Sequence, residues 1–163
     1  VVLPLPAQTG LKLEIRLQSG IDRLDKIIAP NQTTLTRVID YKTGEATIAS
    51  PKKGTPLTDY LDKYFTDTQY KAGFQVYFYS YLYHKLNPDA TILPCIYSLK
   101  KANNPYLRLQ GGQGLGNEFF TLFEEKLQAL LIEIFDPSKP FIQNTSPKAY
   151  QYSPFRGMVN TCE

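Results

Sequence analysis

Along the first forty residues apolar side chains tend to recur at every second position. Leu11, Leu13, Ile15 and Leu17 alternate with Lys12, Glu14 and Arg16, the period of a strand with one buried and one wetter face. A Ser19-Gly20 break precedes a second strand, Ile21 to Ile28, and Pro30-Asn31-Gln32 supplies turn chemistry before Leu35 to Lys42, which is rich in β-branched residues. The simplest pairing is a meander of three sequential antiparallel strands. From Gly44 to about Pro56 the chain is Gly, Pro, Ser, Thr and Lys and reads as an exposed loop, followed by a short helix from Leu57 to Phe65. Thr66-Asp67-Thr68 can cap a longer helix over Gln69 to Leu86, with Tyr70, Phe74, Tyr77, Phe78 and Tyr81 spaced three or four apart. Thr91 to Leu99 predicts a further strand, Asn117 to Phe135 a second long helix, and the Pro-, Ser- and Asn-rich stretch after Asp136 irregular structure. The order predicts a mixed α/β (α+β) fold with helices packed on a largely antiparallel sheet.

Composition narrows this without naming a ligand. At 163 residues, 42% hydrophobic and 20% charged, the chain has the make-up of a single folded domain. Eighteen Lys+Arg against 15 Asp+Glu leave a formal charge of +3, too small and too evenly spread to announce a nucleic-acid or membrane partner. No run approaches the roughly 18 apolar residues of a membrane span, so no membrane partner is expected. The Val1-Val2-Leu3-Pro4 start lacks both a secretory signal pattern and an initiating Met, so the chain is expected to be a piece of a longer protein. Cys95 and Cys162 form neither a disulfide framework nor a closed metal site, so a reducing, cytoplasmic location is expected.

The informative stretches are Gly20-Ile21-Asp22-Arg23-Leu24-Asp25 and Ile39-Asp40-Tyr41-Lys42-Thr43-Gly44. On a strand Asp40 and Lys42 project to one side with Val38, while Ile39 and Tyr41 face the other. Hairpin pairing can bring Asp22 beside Asp40, and the same alternation sends Arg23 and Asp25 to the opposite face. Two converging carboxylates repel unless a cation lies between them, and hard oxygen ligands suit Mg²⁺ or Mn²⁺. A lysine beside such an ion can position a water and stabilise charge developing on a phosphoryl oxygen, as phosphodiester hydrolysis requires. Taken alone, an Asp-x-Lys pair on a strand is more often a structural salt bridge. Its combination with Gly-x-Asp-Arg-x-Asp one strand earlier favours a site.

Together with Gln75-Val76-Tyr77-Phe78-Tyr79 on the aromatic helix, these blocks resemble the PD-(D/E)XK nuclease superfamily, specifically its RecB/AddB-like nuclease domain. The resemblance spans about residues 11 to 100 and more loosely 120 to 141. It implies a restriction-endonuclease-like core and a metal-dependent DNA nuclease, an exonuclease module of a helicase–nuclease in DNA repair and recombination. By the same resemblance Asp22 and Asp40 hold Mg²⁺ (or Mn²⁺), the Tyr41 backbone carbonyl joins them, Lys42 is catalytic, and Gln75 and Tyr79 order the site and contact DNA. Family members usually carry a further ligand on a helix before the first strand. Glu14 is the upstream carboxylate here and is read first as a solvent-facing or salt-bridging residue, while Arg23 and Asp25 are secondary candidates. Many relatives end in a cysteine cluster that binds an iron–sulfur centre. Cys162 sits where that cluster would begin, so such a centre is expected only in a longer parent chain. The alternative is a non-catalytic DNA-binding or scaffolding domain of a helicase complex.

Other features read as structural. Gly111 to Gly116 lacks the Lys-Ser/Thr of a phosphate loop and predicts a flexible loop, and His84, the single histidine, predicts a surface residue at a helix end. The aromatic stripe predicts core packing ahead of base stacking, and Lys52-Lys53 a solvated pair ahead of a phosphate contact.

Overall fold

The nine-residue strand β4 (Thr34–Lys42) organises the molecule because both of its edges are paired. On one side it runs antiparallel to β3 (Arg23–Ile28), with Arg23 opposite Ile39 and Asp25 opposite Arg37. On the other it runs parallel to β5 (Thr91–Ser98), which pairs antiparallel with β6 (Tyr106–Arg108). Parallel neighbours need a crossover. Here α1 (Leu57–Thr66), a 3-10 turn at Thr68–Tyr70 and α2 (Lys71–Leu86) supply it, and α3 (Asn117–Ile134) follows the sheet. The computed structural model describes residues 1–5, 13–49, 52, 54–101, 103–109, 114–142 and 154.

The mixed α/β architecture agrees with the restriction-endonuclease-like core expected from the sequence, but the meander does not form. The strand Leu13–Arg16 (β2) pairs instead with β1 (Val2–Leu5) in a separate two-stranded sheet, Leu3 opposite Ile15 and Pro4 opposite Glu14. The Val1 ammonium donates to Leu17 O at 3.1 Å and Leu17 N–H to Val1 O at 2.8 Å, extending that ladder. Leu3 is buried in the main core, so apolar burial gives the first residues a reason to hold β2 away from β3.

The face of β4 that carries Val38 and Asp40 meets α2. Val38, Ile92 and Ile96 from the sheet join Val76, Tyr77 and Tyr81 from α2 and Phe119, Phe123 and Leu127 from α3 in one buried cluster. Tyr77 and Tyr81 are fully buried and Phe74 and Phe78 partly so, which makes the aromatic stripe core. Asp67 begins the helical run as expected, its carboxylate accepting the Gln69 N–H at 2.9 Å. His84 lies in the last turn of α2 as expected but is only partly exposed. Its ring stacks on Phe120 of α3 with centroids 4.0 Å apart, so apolar packing half-buries it and lowers its pKa.

Three buried tyrosines tie the loop after β4 to the helices. Tyr60 OH lies 3.0 Å from Tyr64 OH and 2.7 Å from Tyr77 OH, and Ala49 N–H donates to Tyr64 OH at 3.1 Å. Burial first, and the neighbouring hydroxyls next, push the Tyr77 phenol well above its ordinary value, so it stays neutral. Tyr60→Phe strands the Tyr77 hydroxyl, whereas Tyr77→Phe leaves Tyr60 bonded to Tyr64. The first substitution is expected to cost about 2 kcal/mol and the second about 1 kcal/mol, read as the shift in urea midpoint.

Candidate active site

Asp40 and Lys42 lie two residues apart on β4 and on its helix-facing side. Extending the Arg23–Ile39 register by one residue sets Asp22 across from Asp40. Asp22 itself sits in a bend just before β3, not on the strand, and its Oδ2 accepts the Tyr41 N–H at 2.9 Å. This bond orients the Asp22 carboxylate toward β4.

Asp40 is 2% exposed. Its pKa is raised above the ordinary carboxylate value, first by burial and also by the Asp22 charge, with the Lys42 ammonium opposing both. Lys42 Nζ lies 2.7 Å from Asp40 Oδ2, yet that buried oxygen receives no hydrogen bond of good geometry. The ammonium is aimed instead at α2, donating to Gln75 Oε1 at 2.7 Å, and Gln75 Nε2 donates to Tyr79 OH. Gln75 and Tyr79 are four apart and share a helix face, so the helix presents an amide and a phenol to the strand that carries Asp40 and Lys42. The row Asp40, Lys42, Gln75, Tyr79 is thus continuous across two elements.

Chemically, this is a pair of hard oxygen donors around an under-bonded carboxylate, beside a cation. Two carboxylates in this arrangement fit a hard divalent ion, since Mg²⁺ commonly takes one or two protein carboxylates and keeps several waters. Among the described residues no three His, Cys, Asp or Glu side chains converge. Glu14 does not join Asp22 and Asp40: it is exposed on β2, opposite Pro4.

Arg23 and Asp25 take the other face of the sheet. Arg23 Nε bonds Asp25 at 2.7 Å and its Nη1 donates to Tyr41 OH at 3.3 Å, while Arg37 Nη2 bonds Asp25 at 2.6 Å and the Arg37 Cζ sits 4.3 Å from the Tyr106 ring centroid. Hydrogen bonds from Arg37 and Arg23 hold the Asp25 carboxyl below its ordinary range. These two residues therefore brace the sheet behind Tyr41 and do not face Asp40. Cys95 lies on that back face too, buried, with burial pushing its thiol up to about 11. It is an inert thiol.

The remaining candidates divide between described and undescribed residues. Lys52 is exposed, and Lys53, Gly111 to Gln113 and Cys162 lie outside the described residues. Leu115 pairs with Ile92, and a Cβ on Gly114 would stand 2.5 Å from Thr91 Cγ2, so this end of the glycine run makes a close backbone approach to β5. Sequence reasoning missed the direct Lys42–Gln75 contact, which depends on where the crossover sets α2 down. No helix among the described residues is long and apolar enough to cross a membrane. No curated protein and no solved structure matches the chain. A family model described as the PD-(D/E)XK nuclease superfamily matches residues 3–157.

Proposed function

Because the chain belongs to the PD-(D/E)XK nuclease superfamily, we propose that its substrate is DNA and that the row from Asp22 and Asp40 through Lys42 to Gln75 is its catalytic centre. The observation that carries this reading is the buried Asp40 carboxylate, repelled by Asp22 and partnered by the Lys42 ammonium at 2.7 Å without a hydrogen bond of good geometry. A single ion pair repays the burial of a carboxylate only in part, so a cation between Asp22 and Asp40 would offset the remainder.

In this reading Asp22 and Asp40, with the Tyr41 carbonyl, hold Mg²⁺ or Mn²⁺. When bound, the ion supplies Lewis-acid polarisation of a phosphoryl oxygen and makes water a better nucleophile at neutral pH. Lys42, held by Gln75, presents its ammonium to the phosphoryl oxygens as negative charge builds on them. Gln75 fixes the lysine, and Tyr79 fixes Gln75. Water oxygen bonds to phosphorus, the bond to the leaving sugar oxygen breaks, and a phosphate monoester and a hydroxyl result. The finer assignment is a RecB/AddB-like exonuclease module working with a helicase in DNA repair and recombination, in a reducing compartment such as the cytoplasm.

Lys42→Met keeps the stem and removes the charge. Degradation of linear DNA in Mg²⁺ is expected to fall at least about 10²-fold, as for loss of a single charge-stabilising group. The same variant leaves Asp40 buried and unpaired, so it is expected to lose about 2 kcal/mol of stability, and adding Asp40→Asn should restore much of that. DNA binding with no cleavage by the unaltered protein at any Mg²⁺ or Mn²⁺ concentration would favour the scaffolding role instead.

A further inference from the structure

The turn between β5 and β6 begins beside Lys42. Ser98 is paired with Lys42 in the parallel register, and the next residue, Leu99, donates its N–H to Lys42 O at 3.0 Å. Lys100 and Lys101 follow at once, so both leave the sheet at the end that carries the proposed catalytic lysine. They line a groove of about 450 Å³ with Asn103, Asn104 and Leu107. This lining holds two ammonium groups, two carboxamides and no carboxylate.

The register places one wall of the groove, Leu107. Asp40 is paired with Ile96, and Ile96 with Leu107. Paired residues share a face of the sheet, so Leu107 lies on the Asp40 side, two strands away, or about 10 Å at the usual strand spacing. The turn is also braced before any ligand arrives: Ser98 N–H donates to Pro105 O at 2.8 Å, Lys101 N–H to Ser98 O at 3.3 Å and Asn104 N–H to Lys101 O at 3.1 Å. A preorganised backbone loses little conformational freedom on binding.

We propose that this groove grips the sugar–phosphate backbone of the DNA strand next to the bond being cut, with Lys100 and Lys101 on phosphates and Asn103 and Asn104 hydrogen-bonding the backbone. The inference rests on the nuclease reading for the identity of its ligand. The fit is one of charge and spacing: phosphates adjoining a scissile bond at Asp40 come within reach of the groove, and its two ammonium groups, with no carboxylate beside them, suit a polyanion.

The test is equilibrium binding of a fluorescein-labelled single-stranded oligonucleotide by the full-length protein, without divalent ions so that nothing is cut, over a series of salt concentrations. Neutralising two phosphate contacts should reduce the slope of log Kobs against log salt by about 1.4, and affinity near 0.1 M salt by at least about tenfold. Lys100→Ala/Lys101→Ala is expected to show both changes, and Lys100→Arg/Lys101→Arg to keep the original slope. Lys139→Ala, in the bend that follows α3 and outside the groove lining, should change neither. An alanine pair that binds with unchanged slope and affinity overturns the groove, even if Asp40→Asn abolishes cleavage and the nuclease reading stands. A reduced slope in a protein that never cleaves DNA supports the groove and overturns the nuclease reading. Failure of the unaltered protein to bind the oligonucleotide, or capture of polyglutamate through the same two lysines in its place, also overturns the groove.

Discussion

Asp40→Asn is expected to lower DNA cleavage by about 10³-fold or more, some 4 kcal/mol of transition-state stabilisation, while the protein melts at the same temperature or higher in the absence of divalent ions. The second half follows from the raised pKa of Asp40. A group whose folded pKa lies above its unfolded value adds stability below the unfolded value, and loses that contribution as pH rises through the folded pKa. At neutral pH the Asp40 carboxyl is therefore a cost to folding, caused by burial and by Asp22, and asparagine removes the titrating group at nearly constant shape. Mn²⁺ should reverse the comparison: its addition raises the melting temperature of the unaltered protein by mass action and leaves that of the asparagine variant nearly unchanged. Activity lost together with stability would point to a structural carboxylate. Undiminished cleavage would remove Asp40 from the catalytic centre.

Gly73→Ala is expected to destabilise the protein by about 2 kcal/mol even though alanine favours helices by nearly 1 kcal/mol over glycine. A Cβ at position 73 would stand 2.3 Å from Tyr64 Cε1 and 3.0 Å from Cδ1. The Tyr64 ring cannot yield cheaply, since it is buried and its hydroxyl is bonded to Ala49 and Tyr60. For a chain of this size the change corresponds to roughly 6 °C in Tm. Gly20→Ala, where a Cβ meets nothing within 4 Å, serves as the control and should stay within about 0.5 kcal/mol. Combining Gly73→Ala with Tyr64→Leu should cost less than the sum of the two, because the leucine vacates the clashing volume. Gly73 is also two residues before Gln75, so a shift of this helical turn is expected to loosen the Lys42–Gln75 bond and to lower cleavage as well as stability.

The parts of the fold that were legible in the sequence are those with a long, clean period. Thr34–Lys42, Leu57–Thr66, Lys71–Leu86, Thr91–Ser98 and Asn117–Ile134 fall within a few residues of their expected bounds. Pairing was not legible. Alternation tells which face of Leu13–Arg16 is apolar and says nothing about its neighbour, which is decided by Leu3 finding the core. Val2–Leu5 escaped notice because prolines mark turns more often than strands, although a short edge strand tolerates one. Tyr106–Arg108 is too short to show a period. At the candidate site, the shared face of Asp40 and Lys42 followed from strand alternation alone, and the shared face of Gln75 and Tyr79 from helical spacing. The meeting of the two pairs depends on a crossover through α1 and α2, a long-range fact that no local pattern carries. The partial burial of His84 at its helix end was hidden for the same reason, since its partner Phe120 is 36 positions away.

The hydrogen bond from Tyr41 N–H to Asp22 comes from the main chain, which any residue but proline retains at that position. The two carboxylates are thus held to one another by a strut no side chain supplies. Position 41 is free to exchange its ring for whatever the back of the sheet needs without moving the front. One strand then lets a lineage retune the bracing around Arg23 and Asp25 and the chemistry around Asp40 separately, with the peptide plane between them as a fixed partition.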